Sequence, residues 1–118
     1  MANSLQALFA GEHTIVSMRE KFGRTGVSDL EWIQDLGKEG DWSVLTADRR
    51  ISRNNVEKQA FLSKDLVGFV MAPAIRKRPL TLQMARILQL WDTFDQQSQI
   101  VSRGLFEFSI RGAKLTQL

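Results

Sequence analysis

The chain has 118 residues, 43% of them hydrophobic and 25% charged, which are the proportions of one soluble globular domain with room for a single core. It contains no cysteine, which excludes disulfides, thiolate metal sites and cysteine nucleophiles. No apolar run nears the ~20 residues that cross a bilayer, and the amino end lacks a basic-then-apolar leader. A net charge of +3 permits a nucleic-acid partner without demanding one. The expectation is a cytoplasmic protein without membrane contact, folded as one domain over residues 1–118.

Asn3 or Ser4 can cap a helix carrying Leu5, Ala7, Leu8 and Phe9, with Gly11 placed to end it. Thr14 to Met18 is short and β-branched, a strand pattern, and Arg19 to Gly26 is a basic loop. Ser28-Asp29-Leu30-Glu31 fits a capping box, in which Ser28 and Glu31 satisfy each other's backbone N–H groups. The helix behind it sets Leu30, Ile33 and Leu36 on one face, and Gly37 or Gly40 ends it. Trp42 to Leu45, closing in Thr46-Ala47, has the length and composition of a buried strand. Asp48 follows that strand at once, and Arg49, Arg50 and Arg53 come next.

Asn54 or Asn55 can cap the next helix, which turns Val56, Ala60 and Phe61 inward. Leu66 to Met71 is a second continuous apolar run, again a buried-strand signal. Pro73 to Pro79 forms a loop containing Arg76-Lys77-Arg78. From Thr81 to about Arg103, Met84, Ile87, Leu88, Trp91, Phe94 and Val101 recur at helical spacing, which predicts one helix of roughly 33 Å. Leu105 to Ile110 alternates weakly, as a last edge strand does.

This alternation of helices and strands predicts an α/β fold with a parallel sheet covered on both faces. Right-handed crossovers would then place every strand end and every following helix start on one rim. Asp29, Asp48 and the Arg76–Arg78 loop would share it, and ligands of open α/β sheets bind at such a rim. Each residue also has a plainer role. Asp29 and Asp48 are ordinary helix-start charges, worth a few tenths to about 1 kcal/mol each, and Glu31 completes the capping box. Trp32, Trp42 and Trp91 sit among apolar neighbours, as core residues do. His13 is the single histidine, with no serine and acid arranged around it for a nucleophilic triad. No glycine pattern cradles a nucleotide phosphate.

Three elements in series carry a resemblance: Met18-Arg-Glu-Lys-Phe22, Ser28-Asp-Leu-Glu-Trp-Ile33, and Val44-Leu-Thr-Ala-Asp-Arg-Arg-Ile51 with Arg53, Asn54 and Glu57. Together they resemble the PIN-like domains of VapC-type toxins, and the likeness runs on through Phe69-Val-Met71 to Arg111-Gly-Ala-Lys114. The resemblance implies a three-layer, Rossmann-like α/β/α domain with a mostly parallel sheet. It also implies an endoribonuclease using Mg²⁺ or Mn²⁺, the toxin of a toxin–antitoxin pair. Asp29 and Asp48 match metal-binding acids, and Thr46 matches a hydroxyl position near the metal. An RNA substrate and an antitoxin that blocks the site are the implied partners, and a homodimer is compatible with it.

Carboxylates without Cys or clustered His suit a hard cation. Arg49, Arg50, Arg53, Arg76, Lys77 and Arg78 would hold RNA phosphates, a salt-sensitive and sequence-independent contribution. Domains of this kind open with a strand ending in an acid, whereas this sequence starts at Met1-Ala-Asn-Ser-Leu5. The expectation is therefore a sheet and a site each short of their first member. A start placed too far downstream, a strand from another chain and a rearranged sheet all remain open. The rival reading is a PIN-like module that binds RNA or a partner protein without cutting. A phosphorylated receiver domain ranks lower, because the chain lacks an acidic pair near its amino end.

Overall fold

The computed structural model describes residues 29–40, 42–47 and 50–118, apart from the side chains of Asp29 and Arg50. The first expected helix, the Thr14–Met18 strand, the basic loop after it and Ser28 lie outside the described residues, as do Asp48 and Arg49. Helix α1 (Asp29–Glu39) leads through Gly40, whose φ of 73° suits a helix stop, into β1 (Trp42–Thr46). A short helix α2 (Arg50–Arg53) and α3 (Asn55–Leu62) follow, then β2 (Leu66–Met71). After β2 come α4 (Pro73–Arg76), α5 (Leu80–Gln89) and α6 (Trp91–Ile100), and the hairpin of β3 (Gly104–Phe108) and β4 (Leu115–Gln117) closes the chain. No helix among the described residues is long and apolar enough to cross a membrane.

The four strands form one sheet in the order β1-β2-β3-β4. β1 and β2 run parallel with Thr46 opposite Val70, and β2 and β3 run parallel with Met71 opposite Phe108. β4 returns antiparallel on β3, with Leu115 opposite Phe108. The α/β expectation holds, but the sheet is mixed rather than mostly parallel. The correction comes from the last few residues: Leu105 to Ile110 is no edge, because a short loop after β3 lets the chain double back and pair again.

β2 is buried along its whole length, as a strand covered on both faces must be. Val67, Phe69 and Met71 point to one face, where they pack with Ile75, Ile87, Leu90, Phe94, Phe106 and Phe108. Leu66 and Val70 point to the other, against Trp32, Ile33, Leu36, Ile51, Phe61 and Leu105. Helices α1, α2 and α3 thus cover one face, and α4, α5 and α6 the other. The two parallel connections step the same way across the sheet on opposite faces, so they have opposite hands. The expectation of right-handed crossovers throughout does not hold. Parallel direction alone still brings the ends of β1, β2 and β3 to one rim.

Two sequence expectations shift within the helices. The single helix over 81–103 is two helices, broken where the Leu90 N–H is shared between the Arg86 and Ile87 carbonyls at 3.2 Å each. The break buries Leu90 and Phe94 in the same cluster and leaves Leu88 exposed. Val56, expected inside, is 66% exposed, whereas Phe61 is completely buried.

Candidate nucleic-acid interface

The rim is built where β1 and β2 end. Thr46, half-buried, is the last residue of β1, and β2 exits through Ala72 into α4. The Ala72 N–H donates to the Phe108 carbonyl at 3.1 Å, which extends the β2–β3 ladder one step beyond β2. Pro73 begins α4, where a missing N–H costs nothing and a fixed φ favours the turn. Ile75, 1% exposed, anchors the short helix in the core and leaves Arg76, Lys77 and Arg78 outside.

Arg76 reaches back across the rim, where its Nη1 donates to the Ala47 carbonyl at 3.0 Å. That bond ties the exit of β2 to the backbone directly before Asp48. The Gln83 side-chain amide donates to the Arg76 carbonyl at 3.2 Å and to the Arg78 carbonyl at 2.9 Å, which fixes the basic turn against α5. Between these elements opens a cleft of about 230 Å³ lined by Arg53, Pro73, Arg76 and Lys77. Three cations in one concavity repel each other, and phosphate oxygens relieve that repulsion with charge-assisted hydrogen bonds.

The structure therefore brings Arg53, Arg76 and Lys77 together, from segments far apart in sequence, with Arg78 exposed beside them. Arg50 opens α2 close to the same place in the chain. Asp29 is the first residue of α1. The far end of that helix sits low on the sheet, where the space beside Gly37 is filled by the stem of Lys64, just ahead of β2. Asp48 and Arg49 lie outside the described residues. Among the described residues, no group of three or more His, Cys, Asp or Glu is arranged to hold a metal.

One arginine that ties elements together beside the rim escaped the sequence reading. Arg86 is half-buried on α5, and its Nε donates to the Ser109 carbonyl at 2.8 Å, just past the end of β3. Its Nη2 donates to the Gly112 carbonyl, and Nη1 to the Gln89 side-chain oxygen at 3.2 Å. Burial pulls the guanidinium below its ordinary value, yet an arginine so placed stays charged. The available signal was its isolation, since Arg86 is the only charged residue in Leu80–Gln89.

In open α/β domains ligands bind at the carboxyl ends of the parallel strands, and this chain has its cationic cleft there. A family model described as a PIN-like domain matches residues 1–73, more than half the chain, and the chain belongs to that family. Comparison with curated proteins and with solved structures returns no match.

Proposed function

We propose that the protein is a metal-dependent endoribonuclease, the toxin half of a toxin–antitoxin pair, with its site at the rim of a Rossmann-like domain. The observation that supports this most is the cleft of Arg53, Arg76 and Lys77, tied by Arg76 to the residue before Asp48, in a PIN-like domain. Asp29 and Asp48 would hold Mg²⁺ or Mn²⁺, with the Thr46 hydroxyl orienting water beside them. That all-oxygen donor set fits such an ion, which commonly takes one or two carboxylates and fills its shell with water and substrate phosphate oxygens. When bound, the ion supplies polarisation of the phosphodiester and activation of a water. Arg53, Arg76 and Lys77 grip the phosphates flanking the scissile bond and hold the strand in line.

The test is incubation of single-stranded RNA and transfer RNA with the protein and Mg²⁺ or Mn²⁺. Cleavage that stops on chelation supports the reading, and intact RNA at every metal concentration contradicts it. A second reading, an RNA-binding module that does not cut, is favoured by the cationic lining of the cleft itself. It expects RNA retention that falls steeply with salt and does not change on chelation.

A further inference from the structure

The charge of this chain is segregated along the sequence. Residues 66–91 contain Arg76, Lys77, Arg78 and Arg86 and no acid, and residues 109–118 contain Arg111 and Lys114 and no acid. With the whole chain at +3, everything else carries a net −3. The fold gathers these two acid-free segments at one place. Phe108 pairs with Met71, so the loop that begins at Ser109 leaves the sheet next to Pro73, which lines the cleft. Adjacent strands lie about 4.8 Å apart, so the loop is the immediate neighbour of the cleft on the side away from β1.

That loop is held rather than loose. Arg86 binds its first residue and its turn through the Ser109 and Gly112 carbonyls, and the Ser109 hydroxyl donates to the Arg111 carbonyl at 2.7 Å. Gly112 adopts a φ of 78°, a left-handed turn that favours glycine. With the Ser109, Arg111 and Gly112 carbonyls engaged, the loop leaves the side chains of Arg111 and Lys114 exposed. A clasped loop with two outward cations and no acid is a preorganised phosphate contact.

We infer that the Ser109–Lys114 loop is a second phosphate-binding element for single-stranded RNA, continuing the track from the Arg53–Arg76–Lys77 cleft. Arg86 is its positioning residue. The inference rests on the reading of the cleft as an RNA site, and it extends that site to the loop between β3 and β4.

The experiment is fluorescence-anisotropy titration of the full chain with labelled oligouridylates, a dinucleotide and one of about a dozen residues, across a salt series in chelator. For the long strand, R111A/K114A should lower the slope of log K against log salt by about 1.4, twice the ~0.7 per neutralised phosphate of a single strand. The dinucleotide, whose single phosphodiester the cleft would take, should bind the variant and the parent alike. Arg86→Met should lower the long-strand slope as well, and Arg86→Lys should restore part of it. Because Arg111 and Lys114 are exposed, the double variant keeps the fold even where an Arg86 variant loses it. An unchanged long-strand slope in R111A/K114A, with a parent that binds, overturns this inference and leaves the cleft standing. A parent that retains no RNA at low salt overturns both.

Discussion

Gly68 shows how little slack the centre of the sheet has. A Cβ added there would meet the Leu105 Cδ1 at 2.7 Å and the Phe61 Cζ at 2.8 Å. Both side chains are completely buried, so neither has free space to move into. Gly68→Ala should therefore destabilise the protein by about 1–3 kcal/mol through overpacking, read as a lower midpoint in urea denaturation. In sequence, this glycine was only a gap in an apolar run. Its role depends on Phe61 and Leu105, which reach it from the preceding helix and from β3. Arg76 was legible as part of a basic run, but its bond to the Ala47 carbonyl was not, because that pairing exists only once β1 and β2 lie side by side.

Among the elements, the cap of α3 was legible and the break in the long helix was not. The Asn54 side-chain oxygen accepts from the Val56 N–H at 3.0 Å and the Glu57 N–H at 3.2 Å, which resolves the choice between Asn54 and Asn55. Asn54→Ala should cost about 0.5–2 kcal/mol, measured by thermal or chemical denaturation. The same change should lower the affinity of the Arg53 cleft for RNA, because α2 meets α3 at this residue. No proline or glycine marks the break at Leu90. Ile87, Leu90 and Phe94 keep helical spacing and pack in one cluster with Phe69 and Phe108, so the apolar pattern runs through the turn without a mark. A periodicity count has no access to that boundary. β4 was missed for a related reason: three residues paired only to β3 leave almost no pattern in the sequence.

At the scale of the molecule, a net charge of +3 hides a larger asymmetry, with the cations of α4, α5 and the closing loop gathered on the rim. The rim was legible from the two apolar strand runs, because parallel neighbours must end together, although β1, expected to be buried, is only half-buried and β2 alone is buried throughout. The clasp by Arg86 was not, since its carbonyl partners come from a loop 23 to 26 residues away. The proposed metal-dependent RNA cleavage would depend on Asp48, and replacing that one residue tests it most directly. Asp48→Asn removes one charge of a proposed ligand at almost constant shape. At ~4 Å and an effective dielectric near 20, that charge is worth about 4 kcal/mol, or on the order of a thousandfold in metal affinity. The decisive measurement is RNA cleavage with Mn²⁺ by the parent and by Asp48→Asn, with calorimetric Mn²⁺ titration of both. Cleavage and Mn²⁺ binding by the parent, both lost in the variant while RNA retention persists, is the expected result. An Asp48→Asn protein that cuts RNA as fast as the parent would contradict it.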